Sequence, residues 1–185
     1  MPRKTKKLPS GIYSEQRRAN FTVTNAQKTF HSPAVEDLLM ESSAMLHNKQ
    51  WAQSEKLVRQ AITLEPIQPD MLNNLASSLM MQNRNSEAEA VLQTTHLLFP
   101  DYLFARTGLA RNAIKKGNYF RAVELLEPLL ERTNFHESEF TALCNTQIEL
   151  SVAMNDLPAA RTWFKMWEEC CSQHPNLDYY RRMVA

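Results

Sequence analysis

The chain has 185 residues, of which 43% are hydrophobic and 22% charged, with a formal net charge of +1 and three cysteines. That length allows one domain with a buried core or an elongated stack of repeats. Only three glycines, Gly11, Gly108 and Gly117, argue against a phosphate-binding glycine loop, and the lack of a long apolar run argues against a membrane span.

The first residues form an arm, 1–32, with a charge balance of its own. Within residues 1 to 30, Arg3, Lys4, Lys6, Lys7, Arg17, Arg18 and Lys28 face only Glu15, a balance of +6 that leaves −5 for the rest of the chain. No apolar core of about 7–15 residues follows the basic start, so a secretory signal is not expected. Ile12, Tyr13, Phe21, Val23 and Phe30 are isolated apolar points without a sustained period, so the arm is expected to be unfolded by itself, with part of it packing on the body or on a partner. Such an arm seeks an acidic surface, which nucleic acid, membrane phosphate or a protein provides, or it simply solubilises the chain.

Helical spacing begins where Ser32 and Pro33 read as an N-cap followed by proline at the first helical position. Val35, Leu38, Leu39, Met45 and Leu46 define a first helix, Asn48-Lys49-Gln50 breaks it, and Leu57, Val58, Ala61, Ile62 and Leu64 define a second that ends at Pro66. The alternation of helix and short turn predicts antiparallel helical pairs over 33–66, 67–100, 101–134 and 136–174, with a capping segment at 175–185. Ser86 and Glu89 have capping-box spacing. Gly117 is placed to close a helix in the left-handed conformation, and Pro128 is expected to bend the helix it interrupts.

Behind these pairs lies a period of 34. It links Ser54, Ala88 and Ala122; Trp51, Asn85 and Tyr119; Leu75, Leu109 and Leu143; Ser42, Ala76, Ala110 and Cys144; and Pro66, Pro100 and Asn134. Ala160 stands 38 residues after Ala122, so one extra helical turn is expected in the fourth pair.

These coincident steps resemble the tetratricopeptide repeat, a helix-turn-helix unit of 34 residues with large, small and proline positions in fixed order. Residues 70–100 match best, through Leu72, Leu75, Ala76, Leu79, Ala88, Leu92 and Pro100, while Ser42 and Ser54 weaken the first unit. The resemblance implies an all-α solenoid of about four repeats, a right-handed superhelix that binds a peptide or helix of a partner in its concave groove without catalysing a reaction. Carried over position by position, the groove would be lined by Leu39, Ser43, Leu46 and His47; Asn73, Ser77, Met80 and Met81; Thr107, Arg111, Ile114 and Lys115; and Thr141, Asn145 and Ile148. Arg111 and Lys115 would meet negative charge on the ligand. The carboxylate clamp by which some relatives grip chaperone C-termini is not expected, because only Asn74 matches it and Leu39, Ser43, Phe104 and Gly108 occupy its other positions.

Chemistry is otherwise sparse. Cys170, Cys171 and His174 lack a fourth ligand and zinc spacing, and two adjacent cysteines do not make a disulfide framework, which suits a reducing compartment. No catalytic residue, metal or cofactor is expected. The residues point to a cytoplasmic interaction adaptor or an assembly or secretion chaperone with protein partners. The alternative is a nucleic-acid- or ribosome-associated factor that uses Arg3, Lys4, Lys6, Lys7, Arg17 and Arg18.

Overall fold

The computed structural model describes residues 22–24 and 30–185. Among them are nine α-helices: α1 Pro33–His47, α2 Trp51–Leu64, α3 Pro69–Met81, α4 Asn85–Leu98, α5 Leu103–Lys115, α6 Tyr119–Leu126, α7 Glu137–Ala153, α8 Leu157–Cys170 and α9 Leu177–Met183. The described residues fall into two compact units, 30–109, and 110–185 together with 22–24.

The turns inside the hairpins share one backbone solution. Lys49, Asn83 and Gly117, at successive steps of 34, and Asn155, at a step of 38, are the residues with positive φ among the described ones, 61°, 60°, 71° and 61°. Each follows a helix whose last carbonyls are taken by two reversed bonds: the amides of Gln50, Arg84, Asn118 and Asp156 donate to the carbonyls of Met45, Leu79, Ala113 and Ser151 at 2.8–3.0 Å, and the positive-φ amides donate to the carbonyls three residues back. This pair of bonds satisfies orphan carbonyls and reverses the chain within a few residues. Asparagine tolerates the left-handed region and glycine enters it freely, whereas lysine pays a steric penalty through its Cβ.

Within unit 30–109 the hairpins α1–α2 and α3–α4 pack through the small positions of the period. Ala76 and Ala88 are fully buried, and Val58, Leu75, Leu79 and Ala88 make one core cluster while Val35, Ala61 and Met71 make another. Ser42 and Ser54, the substitutions that weaken the sequence match, are 2% and 1% exposed and joined to Ser78 in a hydroxyl chain. Ser54 Oγ lies 2.8 Å from both Ser42 Oγ and Ser78 Oγ, Ser78 donates to the Asn74 carbonyl at 3.0 Å, and Ser42 reaches the Ser54 carbonyl at 3.2 Å. Each hydroxyl has one proton, so donation by Ser78 to Asn74 leaves Ser54 to donate to Ser78 and Ser42 to Ser54. Three buried hydroxyls are thereby satisfied where α1, α2 and α3 meet.

In the other unit, α7 has 17 residues against 13 in α3 and α5. Those four residues are the extra turn that shifts Asn155 and Ala160 out of the 34-residue step. Proline 128 ends the α-helical part of its hairpin: α6 stops at Leu126 and a 3-10 turn, Glu127–Glu131, follows. Two short parallel strands, β1 Thr22–Thr24 and β2 Asn134–His136, pair in the register Thr22 to Asn134 and Val23 to Phe135. A strand at 22–24 adds to the sequence reading, in which no period is sustained over residues 1–32 and part of the arm is expected to pack on the body or on a partner. Backbone pairing supplies what side-chain periodicity could not show. The capping-box expectation fails: α4 starts at Asn85 and its N-cap, Arg84, makes no side-chain cap bond, which leaves Ser86 already inside the first turn. The box forms instead at His136 and Glu139, where the Glu139 carboxylate accepts the His136 amide at 3.0 Å and the His136 ring accepts the Ser138 amide.

The turn chemistry yields a reciprocal test. Replacing Gly117 by alanine puts a Cβ on a left-handed residue that has open space around it, so the loss is conformational and about 1 kcal/mol. Lys49→Gly should gain a few tenths to about 1 kcal/mol for the same reason. Urea unfolding of the two variants should move in opposite directions.

Candidate functional site

The first helices α1 and α3 approach each other only locally in unit 30–109, where α2 packs on both, and their expected groove residues fall on stripes of spacing i, i+4, i+7. Ser43, His47 and Met81 are exposed, and Leu39, Leu46, Asn73, Ser77 and Met80 partly so. The Ser77 hydroxyl donates to the Asn73 carbonyl at 2.9 Å, which ties it back to its own helix. Asn73 keeps its side-chain amide, and Met80 and Met81 present flexible thioethers. The structure thus brings together one mixed wall with no lysine or arginine on either helix.

The expected residues from α5 and α7 fare differently. Thr107 is 3% exposed, with its hydroxyl donated to the Leu103 carbonyl, and Asn145 is 6% exposed; neither side chain is open to a ligand, because at these positions the helix faces the core. Ile148 is fully buried. Arg111 is not a free cation: its Nε lies 3.2 Å from Glu149 Oε2, and Glu149 Oε1 accepts the Tyr180 hydroxyl at 2.6 Å. Burial and that carboxylate together push the Tyr180 hydroxyl pKa upward. Ile114 is half-buried and Lys115 exposed, so Lys115 is the cation of the pair that faces water. The arm residues Arg3, Lys4, Lys6, Lys7, Arg17 and Arg18 lie outside the described residues.

Two electrostatic devices that the sequence does not reveal hold unit 30–109 in register. At the entry to α1, the His31 side chain is 5% exposed between two carboxylates: Nδ1 meets Glu65 Oε1, and Nε2 meets Asp70 Oδ2 at 2.7 Å. The Ser32 amide donates to the other Glu65 oxygen at 3.1 Å. Because the carboxylates sit on opposite ring nitrogens, no single ion could be chelated by all three groups. Burial lowers the His31 pKa, but the hydrogen bonds and charges of Glu65 and Asp70 outweigh it, and the net shift is upward. Glu65 is shifted downward by His31 and by the Ser32 amide. The second device is Glu55, 9% exposed, which accepts from Gln82 and pairs with Arg59 at 2.8 Å and Arg84 at 2.6 Å. It joins α2 to the turn between α3 and α4. Burial raises the Glu55 pKa, yet its bonds to Gln82 and Arg59 and the Arg84 charge lower it further.

No helix among the described residues is long and apolar enough to cross a membrane, and no group of three or more His, Cys, Asp or Glu among them is arranged to hold a metal ion. A shallow depression of about 450 Å³ is lined by residues of α2 alone, including Glu55, Lys56 and Arg59, so it is a helix flank rather than part of the wall.

The His31 clamp has a definite pH signature. A histidine whose pKa is raised by folding stabilises the fold fully below its unfolded pKa, ordinarily 6.5, and loses that contribution as pH rises through the folded value. Glu65, shifted the other way, withdraws its contribution as pH falls through its own folded pKa. Unfolding midpoints should therefore decline on the alkaline side of 6.5, and His31→Gln should flatten that decline while removing about 1–3 kcal/mol at pH 6. An unchanged pH profile in the variant would show that the clamp is not formed in solution.

No family model matches this sequence, and no curated protein matches it. Solved structures do. The tetratricopeptide domain of Sgt2 from Aspergillus fumigatus is 21% identical, with 78% of this chain and 87% of that chain covered and a TM-score of 0.48. A tetratricopeptide repeat protein from Parabacteroides merdae is 14% identical, with 83% of this chain covered and a TM-score of 0.51; the match spans 59% of that protein's chain. At 14% identity the likeness to the second speaks for the fold alone, and it coincides with the hairpins, the 34-residue turns and the buried small positions. The chain has the all-α tetratricopeptide-repeat fold.

Proposed function

We propose that this protein is a cytoplasmic interaction adaptor that holds a peptide or helix of a partner protein against the wall of α1 and α3, as an assembly or secretion chaperone does. One contrast carries the reading. On these helices the small residues Ser42, Ala76 and Ser78 are buried, whereas Leu39, Ser43, His47, Asn73, Ser77, Met80 and Met81 stay wholly or partly exposed, with Leu39 and Met80 also packing against the core by one side. Asn73, Ser43 and Ser77 can exchange hydrogen bonds with an extended or helical ligand, and Leu39, Met80 and Met81 can take up its apolar side chains. On α5, Ile114 is half-buried and Lys115 exposed, and Arg111 could contact an acidic ligand only by giving up Glu149. We assign the protein no reaction of its own, in keeping with a scaffold that binds.

The charge asymmetry supports a second reading, in which the basic arm binds nucleic acid and the affinity falls steeply with salt as counterions are released. One experiment separates the two. In affinity purification followed by mass spectrometry, a partner that binds the wall should be captured by the unaltered chain and after deletion of residues 1–18, and should be reduced about tenfold by Asn73→Ala combined with Met80→Ala and Met81→Ala. Loss on arm deletion together with indifference to the wall substitutions would favour the arm.

A further inference from the structure

The wall has an electrostatic sign that narrows what it can hold. Along α1 a stripe of Glu36, Met40, Ser43 and His47, at spacing i, i+4, i+7 and i+11, faces water, and Asp37 and Glu41 lie on the stripe beside it, all of them exposed. Met40 is 60% exposed. Glu36 and Asp37 stand one helical turn before it, and Glu41 is about 7.5 Å along the axis from Glu36, so three carboxylates surround one open thioether. None of the three has an ion pair among the described residues. Neither helix contains lysine or arginine, and Asp70, the acid of α3, is taken by His31.

The stability of the helix does not account for this face. An acid in the first turn is favoured by the helix dipole, which explains Glu36, but the dipole acts only within the terminal turn and gives nothing to Glu41. An exposed thioether gains nothing from water either. The chemistry of the face selects its occupant. Like charge opposes pairing with the same face of a second copy, and it opposes nucleic acid or an acidic peptide. A purely hydrophilic cation would answer the carboxylates and leave Met40 wet. A segment that carries both lysine or arginine and apolar side chains answers both.

We propose that the segment of the partner protein held at the wall is basic and amphipathic, with its lysines or arginines on Glu36, Asp37 and Glu41 and its apolar side chains on Met40 and Leu39. The inference rests on the wall reading and gives the ligand the charge opposite to the one that Arg111 and Lys115 suggested. Charge selects the segment and steers its approach, while the apolar contact holds it.

The probe is a fluorescein-labelled peptide of leucine and lysine at amphipathic helical spacing, compared with the same peptide bearing glutamate in place of lysine. Fluorescence anisotropy with the full chain at low salt should show the lysine peptide binding about tenfold tighter or more, and the difference should shrink near 1 M salt, where screening shortens to about 3 Å. Asp37→Lys with Glu41→Lys should invert the preference, a gain for the glutamate peptide that unfolding does not produce. Glu124→Gln, Glu127→Gln and Glu169→Gln, at exposed carboxylates of the other unit, should leave the preference unchanged. Equal affinity for the two peptides overturns the proposal, as does a preference that follows the carboxylates of the other unit and ignores those of α1. If Met80→Ala with Met81→Ala then still weakens both peptides, the wall reading stands and only the charge assignment falls. In the full chain with K4Q/K6Q/K7Q/R17Q/R18Q, unchanged affinity for the lysine peptide supports a partner as the occupant; a gain of about tenfold would show that the chain's own basic residues hold the face, and would overturn that assignment.

Discussion

The structure depends first on a backbone constraint, the left-handed residue that closes each hairpin. Lys49, Asn83, Gly117 and Asn155 adopt nearly the same φ, and the same two reversed hydrogen bonds surround each of them. A turn fixed so tightly sets the angle at which the second helix returns, and this in turn fixes which residues of the two helices face each other. Small side chains are then required where the axes come closest. The 34-residue period is the sequence trace of that requirement, and the step of 38 shows that the turn can be moved by one helical turn and rebuilt unchanged.

Packing within unit 30–109 uses polar groups as well as apolar ones. The chain Ser42, Ser54 and Ser78 closes completely on itself and on the Asn74 carbonyl, so small volume is gained without an unsatisfied hydroxyl. His31 and Glu55 act at the rim, where they bind connecting segments to helices. These contacts explain how α1 and α3 hold their exposed residues in fixed register, which a binding wall requires and which flexible loops would not give.

The sequence made some of this legible and hid the rest for physical reasons. Ala88 and Ala122 could be read because they recur, and Gly117 because glycine marks a left-handed turn. Lys49 occupies the same conformation with a residue type that gives no such signal, since its turn is imposed by neighbouring helices. Ser42 and Ser54 looked like defects because a hydroxyl chain needs Ser78 from another helix to make sense of it. His31 meets Glu65 and Asp70 across a gap in sequence that no local motif spans. Among the expected groove residues, periodicity placed Ser43, Asn73, Met80 and Met81 on accessible stripes, but Thr107 and Asn145 were closed by packing and Arg111 by Glu149, which depends on three-dimensional neighbours.

The central claim is a division of labour: the small residues of the period hold the fold, and the exposed residues of α1 and α3 are surplus to it. Comparing the unfolding free energies of Ala88→Leu and Met81→Ala tests that division most directly. Ala88 is fully buried and Met81 is 47% exposed, so overpacking at position 88 should cost about 1–3 kcal/mol or more, while truncation at position 81 should stay within about 0.5 kcal/mol of the unaltered chain. Comparable losses at the two positions would contradict the claim and make the wall part of the core.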